Sequence, residues 1–167
     1  GTVMSNLGME QAFRVNNIEF VRAAVGDRYV LEMMKKNGWQ LGGEASGHII
    51  CLDKSTTGDG IVAALEVLQV MHDSGKSLTE LASEMDTCPQ MMINVEIARG
   101  FDIATNTRIT EAVAGVEAEL AGRGRVVLRP SGTEPLIRVM IEGVDAAEVK
   151  NQCELLADIV REAAAVN

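Results

Sequence analysis

Hydrophobic positions along the chain recur at two different periods, and the places where the period changes outline its organisation. Residues 18–25 are rich in β-formers, 28–36 read as a helix closing on Asn37-Gly38, and 39–41 and 48–52 read as short strands around a glycine-rich turn. This is α/β texture. From Ile61 onward, Ala64, Leu65, Leu68 and Met71 follow the i, i+3, i+4, i+7 spacing. Val62, Val67 and Val70 make the opposite face apolar as well, which predicts a well-buried helix. Thr57 and Asp59 are its expected caps, and Asp73-Ser74-Gly75 stops it. A short helix is predicted over 78–85, with Ser77 as N-cap and Glu80 completing a capping box.

The pattern changes at Asp86-Thr87-Cys88-Pro89, the expected boundary between domains 1–86 and 87–167. Met91, Ile93, Val95 and Ile97 alternate with Met92, Asn94 and Glu96, the period of a strand with one wet face. Ile109, Val113, Val116 and Leu120 form a helical stripe ending near Gly122. Residues 125–129 and 135–142 are strand-like about a polar turn, and Val149, Cys153, Leu156 and Val160 mark a final amphipathic helix. The order β-α-β-β-α predicts a small α+β two-layer domain with an antiparallel sheet.

Charge narrows the partners. With 15 basic and 24 acidic residues among 167, the net charge is −9, which argues against general nucleic-acid or membrane-surface binding. Cys51, Cys88 and Cys153 are too scattered for a disulfide framework or zinc site, no apolar run is long enough to span a bilayer, and a cytoplasmic location is expected. The opening Gly1-Thr2-Val3, with neither initiator Met nor basic leader, predicts a piece of a longer protein.

Against this acidic background, residues 123–138 carry four arginines and one acid, Glu134. Within that basic island, Arg129-Pro130-Ser131-Gly132-Thr133-Glu134-Pro135 joins two strands. Pro130 fixes its own φ, Gly132 permits a positive one, and Ser131 and Thr133 offer hydroxyls beside turn amides. Arg129 and Arg138 flank the turn with fork-shaped donors matched to phosphate oxygens. Either this turn cradles a phosphate or it is a plain hairpin with solvated arginines. A second cluster, Gly42-Gly43-Glu44-Ala45-Ser46-Gly47-His48, sets a carboxylate, a hydroxyl and an imidazole among three glycines. That set suits a sugar, with His48 able to move a proton, and equally a glycine-rich hairpin with one exposed carboxylate. Asp27 reads first as an N-cap, with Arg28 at a helix start open to an anion. Gly75-Lys76-Ser77, Asp53 to Asp59 and Gly58-Asp59-Gly60 fail as phosphate loop, calcium loop and dinucleotide fingerprint; no metal site is assigned.

Four segments resemble the α-D-phosphohexomutases, and among them the bacterial phosphoglucosamine mutases: Thr2-Val3-Met4-Ser5-Asn6-Leu7-Gly8; Gly26-Asp27-Arg28-Tyr29-Val30; the stretch from Leu41 through Gly47-His48 to Thr56-Thr57-Gly58-Asp59-Gly60-Ile61; and Arg129-Pro130-Ser131-Gly132-Thr133-Glu134-Pro135-Leu136-Ile137-Arg138-Val139-Met140. The resemblance implies an incomplete third family domain, a mixed sheet with helices, followed by the phosphate-binding fourth. It further implies an isomerase interconverting glucosamine 6-phosphate and glucosamine 1-phosphate through a bisphosphorylated intermediate, using a phosphoserine and Mg²⁺, in the supply of UDP-N-acetylglucosamine and peptidoglycan precursors. The nucleophile motif and the Asp-x-Asp-x-Asp metal loop are absent from the chain. Mg²⁺ and catalysis are therefore expected to depend on N-terminal domains of the same protein, the fragment alone being inactive.

By the same resemblance, Glu44 and Ser46 bind sugar hydroxyls, His48 is a general acid/base candidate, and Arg129, Ser131, Gly132, Thr133 and Arg138 hold the phosphate not being transferred. Arg28 is a further substrate-binding candidate. The competing readings are a stand-alone phosphosugar-binding regulatory module and a phosphomannomutase or phosphoglucomutase relative; a homodimer stays open.

Overall fold

The computed structural model describes residues 1–98 and 100–165. It separates into two compact units, Gly1–Thr87 and Cys88–Asn167.

The first unit begins with an isolated parallel bridge between Thr2 and Ala23, where Val3 N–H donates to the Ala23 carbonyl at 2.9 Å and Ala23 N–H to that of Gly1 at 2.8 Å. Helix α1 (Leu7–Val15) is capped by the Asn6 side chain, which accepts from the Gly8 amide at 2.9 Å. Helix α2 (Asp27–Asn37) ends on Gly38 in the left-handed conformation at φ 70°. Strands β1 (Leu41–Gly43) and β2 (Ile49–Cys51) pair antiparallel, with Gly43 opposite Ile49. Helix α3 (Gly60–Ser74) is capped by Asp59, which accepts from the Ile61 and Val62 amides at 2.8 and 3.1 Å. The capping box of Ser77 and Glu80 opens α4 (Leu78–Ala82). Ala23, Val30, Met34 and Ile50 form the small core.

Three local expectations are corrected here. Of residues 18–25, only Ala23 forms a β-bridge among the described residues: β-propensity needs a neighbouring strand to act on, and Thr2 alone supplies one. Helix α3 has no buried residue, with Ile61 75% and Leu65 59% exposed. Its apolar sequence sets the hydrophobicity of its faces, but burial needs a partner, and β2 is the strand that packs on it. Helix α2 is N-capped by Gly26, whose φ of 128° lies where L side chains strain, and Asp27 is instead its first residue.

The second unit realises β-α-β-β-α: β3 (Gln90–Glu96), α5 (Thr107–Leu120), β4 (Gly124–Pro130), β5 (Leu136–Gly143) and α6 (Ala146–Ala165). The sheet is antiparallel in the order β3-β5-β4. Cross-strand partners share a face, so register defines two surfaces. Met91, Ile93 and Val95 oppose Ile141, Val139 and Ile137, which in turn oppose Val126, Leu128 and Pro130. Onto this face pack Ile109, Val116 and Leu120 of α5 and Val149, Cys153, Leu156 and Val160 of α6. Each such aliphatic side chain contributes about 1.5–3 kcal/mol when fully buried, which makes this face the unit's main source of stability. The other face carries the functional candidates.

Candidate functional site

On that second face, register sets Asn94, Arg138 and Arg129 in one row across the three strands, with Arg138 central and opposite both neighbours. Two like charges in a direct cross-strand pair are unfavourable unless something negative lies between or above them. Among the described residues every other arginine has a carboxylate oxygen within 4 Å: Arg14, Arg22, Arg28, Arg108, Arg123, Arg125 and Arg161. Arg129 and Arg138 have none there, and Arg129 Nε is buried without a hydrogen-bond partner among those residues. The pair is a preformed, uncompensated set of donors.

The turn that joins the two arginine-bearing strands is ordered by its own serine. Ser131 Oγ accepts from the amides of Glu134 at 3.3 Å and Thr133 at 3.5 Å, while Ser131 N–H donates to the Leu136 carbonyl at 2.8 Å. Gly132 is not among the residues at positive φ, so the turn does not use the positive φ that a glycine permits there. A Cβ placed there meets nothing within 4 Å, so the missing side chain leaves the tip of the turn open to an approaching group.

The first unit assembles a different cluster around the N-terminus of α2. Glu44 follows β1 and is half-buried, and its Oε1 accepts from the Gly26 amide at 2.9 Å. His48, at the far end of the hairpin, turns Nε2 to within 3.6 Å of Asp27 Oδ2. Ser46 lies exposed at the tip, where Gly47 N–H donates to the Glu44 carbonyl at 3.1 Å. Arg28 is engaged elsewhere, with Nε 3.6 Å from Glu32 and its guanidinium 4.8 Å over the Tyr29 ring. Two of the hairpin glycines have packing reasons: a Cβ on Gly42 would lie 2.3 Å from Met34 Sδ, and one on Gly43 2.9 Å from the His48 carbonyl oxygen.

A family model described as phosphoglucomutase/phosphomannomutase, alpha/beta/alpha domain III, matches residues 1–88, and one described as the C-terminal domain of the same family matches residues 92–159. The chain belongs to the phosphoglucomutase/phosphomannomutase family. Within it, the chain is 57% identical over 98% of its length to the phosphoglucosamine mutase of Alkalilimnicola ehrlichii and 56% identical over 99% to that of Nitrosospira multiformis. It spans 36% of the length of each. Among solved structures, the N-acetylphosphoglucosamine mutase of Aspergillus fumigatus superposes at a TM-score of 0.82 with 19% identity, covering 98% of this chain and 38% of the other. An N-acetylglucosamine-phosphate mutase product complex superposes at 0.73 with 20% identity. These superpositions show the shared fold.

The family's domain III thus carries the Glu44 cluster and its C-terminal domain carries the arginine row. Sequence reasoning missed three participants. Asn94 was legible as a wet strand position, but its place beside Arg138 depends on register. The Gly26 amide that holds Glu44 is a backbone group with no sequence signal beyond the glycine itself. Asp27 stood out for capping, while its approach to His48 comes from the packing of α2 against the hairpin.

Proposed function

We propose that this chain is the C-terminal part of a phosphoglucosamine mutase, an isomerase that interconverts glucosamine 6-phosphate and glucosamine 1-phosphate by phosphoserine-mediated phosphoryl transfer. The observation that carries the reading is the opposed pair of uncompensated arginines, Arg129 and Arg138, flanking an open Ser131-Gly132-Thr133 turn in a family C-terminal domain. Their guanidinium forks and the turn's donors hold the non-transferred phosphate, and binding energy collected there positions the reacting end of the sugar. Glu44 and Ser46 take sugar hydroxyls, with the Glu44 carboxylate preoriented by the Gly26 amide. His48 exchanges a proton with a substrate oxygen.

Among the described residues no three His, Cys, Asp or Glu side chains come together as a metal site. Mg²⁺, the phosphoserine and the bisphosphorylated intermediate belong, in this reading, to work shared with the N-terminal domains of the same protein. Expressing the longer protein and following the two glucosamine phosphates by ³¹P NMR tests the proposal. Interconversion that disappears in R129A/R138A supports it. Activity only on mannose or glucose phosphates would point to a relative of different specificity, and phosphosugar binding without turnover would point to a regulatory module.

A further inference from the structure

Asp27 and Gly58 enclose one edge of the His48 ring. Asp27 Oδ2 lies 3.6 Å from His48 Nε2, and the carboxylate is steadied by Oδ1, which accepts from the Arg28 amide at 2.8 Å. Gly58 closes the same edge so tightly that a Cβ there would stand 1.9 Å from Nε2 and 2.4 Å from Cδ2. Nε2 is consequently buried without a hydrogen-bond partner among the described residues, although the side chain as a whole is 37% exposed. A buried ring nitrogen facing a carboxylate across less than an ångström of slack is a site for an Nε2–H donor, because closing to about 2.8 Å makes a charge-assisted bond. The remaining nitrogen, Nδ1, is then the one left for solvent and ligand.

We infer that Asp27 is a positioning residue for His48: it holds the proton on Nε2, so that the Nδ1 lone pair is the proton acceptor presented to a sugar hydroxyl, with Gly58 leaving the room that this ring orientation needs. The inference rests on the proton-exchange role proposed for His48. When that group acts as base, the hydroxyl O–H bond breaks with its electron pair remaining on oxygen, and the Nδ1 lone pair forms the new N–H bond. The resulting imidazolium then has a carboxylate at its opposite nitrogen, which stops the ring turning over. In the reverse direction Nδ1 returns the proton. The second-nitrogen partner determines which tautomer a histidine adopts, and here the fold of α2 onto the hairpin supplies one that no motif announces.

The chain has two histidines, so long-range ¹H–¹⁵N spectra of the 167-residue protein resolve His48 against His72 on α3 as an internal control. In the unmodified protein the His48 ring is expected as the Nε2–H tautomer, with that proton exchanging at least about tenfold more slowly than its His72 counterpart. In Asp27→Asn the carboxamide can donate to Nε2, and the Nδ1–H tautomer should grow while His72 stays unchanged. Gly58→Ala should shift the His48 ring signals with Asp27 still in place. A His48 ring that exchanges as fast as His72 in the unmodified protein, and is indifferent to Asp27→Asn, overturns the positioning.

In the longer enzyme, Asp27→Asn should lower kcat at least about tenfold with KM nearly constant, as expected for a disabled acid/base group. It should cost nothing further in a His48→Ala background, since its effect passes through the ring. An additional loss in the double variant, or an effect confined to KM, refutes the proposal. If His48→Ala by itself leaves kcat intact, the acid/base role falls, and the ring spectra still decide whether Asp27 positions the imidazole.

Discussion

The opposed arginines of the second unit make a prediction whose sign depends on the anion. Arg129 and Arg138 are direct cross-strand partners. Taking about 6 Å as a reference separation, two unit charges repel by roughly 0.7 kcal/mol at the dielectric of water and about 2.8 kcal/mol at an effective value of about 20. Both side chains are half-buried, so screening places the working figure near the lower end, about 1 kcal/mol. In chloride buffer, Arg138→Ala should therefore leave the second unit as stable as before or slightly more so, the relieved repulsion offsetting the lost packing of the side-chain stem. Phosphate should reverse this. For a weak site of about 10 mM, 30 mM phosphate stabilises the folded unit by RT ln 4, about 0.8 kcal/mol, which raises the midpoint of a domain of this size by about 3–6 °C.

Thermal scans of the unmodified chain, R129A, R138A and R161A in phosphate, and in chloride at equal ionic strength, supply the measurement. The shift should be present in the unmodified chain and in R161A, where the lost charge sat on α6 beside Asp158, and absent from R129A and R138A. A shift reproduced by chloride, or lost equally in all three variants, would mean that the arginines act only through net charge. Destabilisation by R138A in chloride together with a retained phosphate shift would refute the row as an anion site altogether.

Glu44→Ala in the longer enzyme should lower kcat/KM by the equivalent of about 1.5–3 kcal/mol while thermal stability changes little, because the carboxylate is half-buried with the Gly26 amide as its protein donor. Arg125→Met should destabilise the second unit by about 3 kcal/mol in chemical denaturation, since it leaves the fully buried Glu142 without the guanidinium 2.7 Å away. Burial pushes the Cys153 thiol up from its ordinary range, so thiolate forms only at higher pH; iodoacetamide at pH 8 should modify it only after denaturation, as read by mass spectrometry. The purified chain alone should show no mutase turnover even with Mg²⁺ and a sugar bisphosphate, in a coupled assay able to detect the longer enzyme.

What was legible from sequence is local. The alternation from Met91 to Val95, the stripe Val149, Cys153, Leu156 and Val160, and the stops at Gly38 and Gly75 follow from side-chain period and backbone freedom, which neighbouring residues determine among themselves. The capping box at Ser77 is of the same kind. The family resemblance was equally readable, because its motifs are runs of consecutive residues. Tertiary structure decided whatever depends on a second segment. The apolar faces of α3 carry no information about whether anything covers them, and Ile61, Leu65, Leu68 and Val70 on them are exposed. The run 18–25 has strand composition but finds a single bridge at Ala23. Register alone places Arg138 opposite Arg129 and beside Asn94, since a slip of one residue would send it to the other face. The approach of Asp27 to His48 exists only because a helix start and a hairpin end, distant along the chain, pack together around a glycine that has no side chain to keep them apart.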